Sequence, residues 1–167
     1  MSFPKDFFWG ASTSCAQVEG AYDVDGKGLT TWDWDQKKIN EGTCSFKYAS
    51  DFYHRYKEDI ALFAELGFTT FNTTISWARI FPEGEGKINQ AGINYYKNVF
   101  KECHKYNIEP LVTIYHFDLP AALEVKYGGW HSRKLIDLYV DYCKVLFENF
   151  KDDVKYWLTN NEYNVMI

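Results

Sequence analysis

Basic stretches are missing from this chain. Its 18 Lys and Arg stand against 23 Asp and Glu, for a net charge of −5, and they form no run or stripe. Recognition of a nucleic-acid backbone therefore has no electrostatic support. Long apolar stretches are missing as well. No segment approaches the roughly 20 residues that cross a bilayer. The polar, Pro-broken start Met1-Ser2-Phe3-Pro4-Lys5-Asp6 does not read as a signal peptide. Cysteine is sparse: Cys15, Cys44, Cys103 and Cys143 are scattered without CxxC spacing, so zinc and redox motifs are unsupported. The expectations are a cytoplasmic protein with reduced thiols, no metal, no organic cofactor, no nucleic-acid partner and no membrane partner.

Aromatic residues are what the chain has in excess, at 19% with six Trp and thirteen Tyr. Two readings stand side by side: a large aromatic core, or a cleft whose flat rings stack on sugar C–H faces. The 167 residues are ample for one domain and short for two.

Along the chain, strand-like and helix-like patterns alternate. Phe7 to Ser12 is a short apolar run bounded by turn residues. Gly20 to Gly42, rich in Gly, Asp and Lys, reads as a long loop. Ser50-Asp51 is placed to cap a helix from Asp51 to about Leu66, ended by Gly67. Its face carries Tyr53, Tyr56, Ile60, Phe63 and Ala64. Phe68 to Ser76 is a second strand, and Asn89 to Tyr106 a helix facing inward through Ile93, Tyr96, Val99, Phe100 and Cys103. Pro110 to Tyr115 is a third strand. Ser132 opens a helix to about Phe150 with Leu135, Leu138, Tyr139, Tyr142, Val145 and Leu146 inward, and Val154 to Asn160 is a fourth strand.

Strand and helix in strict turn call for a parallel sheet with right-handed crossovers. An open doubly wound sheet and part of a (β/α)8 barrel both fit. The turn after the first strand reads Ala11-Ser12-Thr13-Ser14-Cys15-Ala16-Gln17, with no GxGxxG, and no Walker A sequence occurs. That absence favours the barrel: an α/β, (β/α)8 TIM-barrel type, here about the first four βα units, a half barrel.

In such a barrel chemistry gathers at the C-terminal strand tips. The first tip carries Gln17 and Glu19, the second Trp77 and Arg79 with Asn72 inside the strand, the third His116 and Asp118, the fourth Asn161 and Glu162. An amide, an imidazole, a carboxamide and a carboxylic acid beside aromatics suit hydroxyl-rich ligands. Blander alternatives exist for each. His116 could cap a loop, Asp118 form a turn, Arg79 tie down a loop and Cys15 simply pack. Asn161-Glu162 could be a surface turn, although Val154 to Thr159 before it reads as a buried strand. Burial there would raise the Glu162 pKa, as a general acid needs.

Several stretches together resemble glycoside hydrolase family 1 over essentially the whole chain. They are Phe3 to Gly10, Gln17-Val18-Glu19-Gly20-Ala21, Ser50 to Asp59, Ile75-Ser76-Trp77-Ala78-Arg79-Ile80-Phe81-Pro82, His116-Phe117-Asp118-Leu119-Pro120, Tyr127-Gly128-Gly129-Trp130 and Thr159-Asn160-Asn161-Glu162. The wording is most similar to the 6-phospho-β-glucosidase branch, with plain β-glucosidases next. The resemblance implies a retaining β-glycosidase acting on a small-molecule β-glucoside or phospho-β-glucoside. It makes Glu162 the general acid/base, Asn161 the amide at the sugar 2-hydroxyl, and Gln17 and His116 the binders of hydroxyls further round the ring.

Three positions depart from the family pattern: Asn72 stands where an Arg is usual, Asn160 where an apolar residue is usual, and Tyr163 where Pro is often found. No stretch matches the family's nucleophile motif; Glu19, Asp118 and Glu124 are the remaining candidate carboxylates. The retaining reaction uses two carboxyl groups about 5 Å apart. Residues 1–167 are thus expected to be the N-terminal portion of one barrel domain without its C-terminal half, nearly silent in catalysis by themselves. Open edges make self-association, or completion by a separate C-terminal half, the expected partnership. The alternative is a non-catalytic sugar-binding or interaction fragment, or the product of a decayed gene.

Overall fold

A computed structural model describes residues 2–34 and 45–165. Strand β1 is Gly10–Ser12, followed by the one-turn helices α1 (Cys15–Val18) and α2 (Thr31–Trp34). Helix α3 is Phe52–Glu65, β2 is Thr70–Thr74, and α4 is the single turn Trp77–Ile80. Helix α5 (Gln90–Lys105) leads to β3 (Glu109–Tyr115), α6 (Ala121–Tyr127), α7 (Lys134–Phe150) and β4 (Tyr156–Asn160).

The strands form one sheet in the order β1-β2-β3-β4, every neighbouring pair parallel. Asn72 of β2 sits opposite Ser12 on one side and Leu111 on the other, and Asn160 of β4 sits opposite Tyr115. Sequential parallel order is half of an eight-stranded barrel. The sheet curls: Phe8, just before β1, meets Tyr156 of β4 edge to face at 5.1 Å between ring centroids.

The core lies between the sheet and its covering helices. Positions spaced by three and four on α5 bury Ile93, Tyr96, Val99, Phe100 and Cys103 at 0–2% exposure. Helix α7 buries Leu135, Leu138, Tyr142, Leu146 and Phe150, with Tyr139 and Val145 half-buried. On α3, Tyr53 and Ile60 are buried while Tyr56, Phe63 and Ala64 are half-buried. Each helix face is therefore the one its periodicity indicates. The barrel-side face is a different matter. All of β1 is exposed and β4 is mostly so, with Trp9 at 50% and Leu158 at 47%.

Some local expectations need correction. Asp51 precedes α3 in a left-handed conformation (φ 59°) and makes no side-chain cap. Its carboxylate binds His54 Nδ1 at 2.6 Å, and Ser50 Oγ donates to the Val18 carbonyl instead. Gly67 does end the helix, at φ 81°. The stretch expected as loop from Gly20 contains α2; its portion 35–42, and Cys44, lie outside the described residues. The first strand is shorter than the apolar run Phe7 to Ser12, because only Gly10 to Ser12 pair with β2.

Candidate active site at the strand tips

The β4 tip and the β3 tip are joined directly. The Asn161 backbone N–H donates to the Tyr115 carbonyl at 3.0 Å, and its side-chain amide lies 3.0 Å from His116 Nε2. Two of the four expected site residues are thus in contact although 45 positions apart in sequence. His116 is half-buried. Burial pushes its pKa below the ordinary value, while the neighbouring Glu162 charge opposes that shift. The third expected residue, Glu162, is therefore close enough to His116 to act on its charge. The fourth, Gln17, is exposed on α1, its backbone N–H held by the Ser14 carbonyl at 3.0 Å.

The backbone at these tips is strained. Phe117 (φ 64°) and Glu162 (φ 43°) both occupy the left-handed region. That conformation costs a side-chain-bearing residue roughly 1–2 kcal/mol. One strained residue follows His116 and the other is the candidate acid itself. The expected burial of Glu162 is not met: its side chain is exposed. The strand before it is also less covered than its apolar sequence indicates, since β4 is a sheet edge among the described residues.

Below the tips lies a buried polar layer. Arg79, 1% exposed, donates from Nε to Glu19 Oε2 at 3.1 Å and from Nη2 to the carbonyls of Gly20 and Ala21. Its guanidinium stacks 4.3 Å from the Tyr53 ring centroid. Burial alone would lower its pKa; the Glu19 carboxylate and surrounding tyrosines outweigh this and raise it. Tyr96 on α5 donates to Glu19 Oε1 at 2.6 Å and accepts from the Ser76 backbone N–H at 2.7 Å. Arg79 thus does tie down a loop, the blander of its two readings, and Glu19 is neutralised by it rather than held free for chemistry.

Asp118 is likewise committed. Its Oδ2 accepts from the Cys15 thiol at 3.3 Å and its Oδ1 from the His116 backbone N–H at 3.4 Å. It links the β1 tip to the β3 tip. Burial raises its pKa to about 6. Cys15 is packed and hydrogen-bonded, with burial pushing its thiol well above the usual range, so it is no thiolate nucleophile.

An aromatic wall supports the β3 side. Trp77 stacks on Tyr142 at 4.9 Å, and Trp130 Nε1 donates to Tyr115 Oη at 2.9 Å. Tyr142 Oη donates to the Ile75 carbonyl at 2.7 Å, anchoring α7 under the β2 tip. Both readings of the aromatic excess apply in part: most rings are core, and Trp130 stays 37% exposed beside the tips. Asn72, where a cation would stand in the resembling family, accepts from Thr113 Oγ1 at 3.1 Å and makes that spot neutral. Asn160 Oδ1 is buried with no hydrogen-bond partner.

The Tyr96 contribution was hidden from sequence reading, because its position on an amphipathic helix marks it simply as core. Its distance from Glu19, 77 residues, leaves no local signal. Among the described residues, no group of three or more His, Cys, Asp and Glu could hold a metal ion. No helix among them is long and apolar enough to cross a membrane.

The sequence profile of glycosyl hydrolase family 1 matches residues 1–167. The chain belongs to glycosyl hydrolase family 1. It is 48% identical over 175 residues to a 6-phospho-beta-glucosidase of Clostridium longisporum, covering 100% of this chain and 37% of that protein. It is 47% identical over 173 residues to the aryl-phospho-beta-D-glucosidase BglH of Bacillus subtilis, covering 99% of this chain and 37% of that one. Among solved structures, a rice Os3BGlu6 beta-glucosidase superposes with a TM-score of 0.94 at 40% identity, over 98% of this chain and 35% of that one. The family 1 beta-glucosidase of Thermotoga maritima gives 0.92 at 42% identity, over 96% and 36%. The chain spans 37% of the length of those two curated relatives. Its fold is the first four βα units of their α/β barrel.

Proposed function

We propose that residues 1–167 are the N-terminal portion of a single barrel domain and supply the acid/base half of a retaining β-glycosidase, acting on 6-phospho-β-glucosides or plain β-glucosides. Glu162 is the proton donor to the leaving-group oxygen and later the base for water. Asn161 holds the sugar 2-hydroxyl, and His116 and Gln17 hold hydroxyls further round the ring. The observation that carries this reading is the Asn161–His116 contact with Glu162 next in the chain. It gathers an amide, an imidazole and a carboxyl group at two adjoining strand tips. Relatives named for phospho-β-glucosides support the phosphorylated substrate class. The free thiols of Cys15, Cys103 and Cys143 agree with a cytoplasmic setting.

Among the described residues, none of the three candidate carboxylates is free to serve as the second one. Glu19 is bound to Arg79 and Tyr96, Asp118 is buried against Cys15, and Glu124 is exposed on α6. None is a free nucleophile facing Glu162. The 167-residue chain by itself therefore turns over aryl β-glucosides and their 6-phosphates negligibly. Joining it to the remaining barrel of a family relative restores turnover. In that complete barrel Glu162→Gln lowers kcat by about 10²–10⁴-fold on a poor leaving group. Unchanged kcat in this variant would refute the assignment. Sugar binding without turnover in the completed barrel would favour a binding module instead.

A further inference from the structure

We propose that the cavity between the tips of β1, β2 and β3 is a binding site for one buried water molecule, which joins the Ser76 hydroxyl to the carboxyl groups of Glu19 and Asp118. The cavity measures about 20 Å³. That holds a single water and excludes an organic ligand. Its walls are more polar than apolar: Glu19, Lys27, Asp33, Ser76 and Asp118 line it, beside Ala16 and Phe46. Dry cavities in proteins are apolar ones, whereas polar cavities of this size are hydrated.

Ser76 supplies the independent sign. It is 2% exposed, lines the cavity, and its Oγ has no hydrogen-bond partner. A buried hydroxyl left unmade is costly, and an ordered water is the common remedy. Acceptors stand ready across the space. Each Glu19 oxygen takes one side-chain hydrogen bond, from Arg79 or from Tyr96, and a carboxylate oxygen accommodates two. A water there accepts from Ser76 and donates to the carboxyl side. A cation is disfavoured because the Lys27 ammonium already occupies the wall, held by Asp33 at 2.6 Å.

The water has a structural consequence. Ser76 belongs to the β2 tip, Glu19 and Cys15 to the β1 tip, and Asp118 to the β3 tip, where it holds the His116 backbone N–H. One molecule thus ties three strand tips beneath His116. This inference stands whether or not the glycosidase reading holds.

The test is direct. A crystal structure of the chain should show solvent density within hydrogen-bond distance of Ser76 Oγ. In solution, water ¹⁷O relaxation dispersion should count one long-lived water fewer in Ser76→Val, where the hydroxyl is gone and a methyl fills the space. Should that variant misfold, Ser76→Ala with the same measurement serves. An empty cavity in the crystal, or a Ser76 hydroxyl turned onto a backbone carbonyl with no density beside it, overturns the proposal. So does an equal count of long-lived waters in the parent and the variant.

Discussion

Replacing Asp118 by Asn should change the pH dependence of stability more than stability itself. Asp118 is fully buried, and burial lifts its pKa from 3.8 to about 6 in the folded chain. The folded state therefore holds an extra proton between those values. For a carboxyl group raised in this way, the stabilisation is complete below about pH 3.8 and is lost as pH rises through about 6. The full shift corresponds to roughly 3 kcal/mol, of which roughly 2 kcal/mol falls between pH 4.5 and pH 8. Asn keeps an acceptor for the His116 N–H and carries no charge at either end of the range. Any misfit of its amide against Cys15 is a constant offset and does not vary with pH. His116, whose own pKa is lowered by burial against the opposing Glu162 charge, titrates in both proteins and largely cancels in the comparison. Urea unfolding followed by Trp fluorescence at several pH values gives the difference directly. The variant should gain roughly 2 kcal/mol relative to the parent from pH 4.5 to pH 8. A difference that stays flat across this range, or one that moves toward the parent, would refute the argument.

Other outcomes follow from the same buried layer and the open edges. Arg79→Met strands the Glu19 carboxylate in the interior and should cost about 3–5 kcal/mol, measured by the shift in urea midpoint. Asn160→Leu removes a buried amide oxygen without a partner; it should stabilise by about 1–2 kcal/mol, seen as a higher unfolding temperature. The exposed edges β1 and β4, with Trp9 and Leu158 half-exposed, should make the 167-residue chain self-associate in light scattering. A clean monomer at high concentration would count against that reading.

Helix faces were legible residue by residue. Ile93, Tyr96, Val99, Phe100 and Cys103 recur at helical spacing, and one side of α5 buries them all. Such periodicity is a local consequence of backbone geometry and survives any arrangement of neighbours. Strand order was legible too, since parallel neighbours need crossovers and each crossover is written as an amphipathic helix. The Asp51 cap was misread because the residue before α3 takes a left-handed turn, which aims its carboxylate at His54. The buried setting expected for Glu162 was misread because strand hydrophobicity records what a face needs, not what covers it. The pairs Arg79–Glu19 and Cys15–Asp118, 60 and 103 residues apart, left no trace in spacing.

Sequence alone determined the periodic helices and the parallel order, and short motifs named Gln17, His116, Asn161 and Glu162 as candidates, because these reside in local pattern. Only tertiary structure decided which charged groups are spent on holding the tips together. Coulomb pairing in the interior depends on separation through space, and a folded chain brings Glu19 to Arg79 and Asn161 to His116 without any regard for their distance along it.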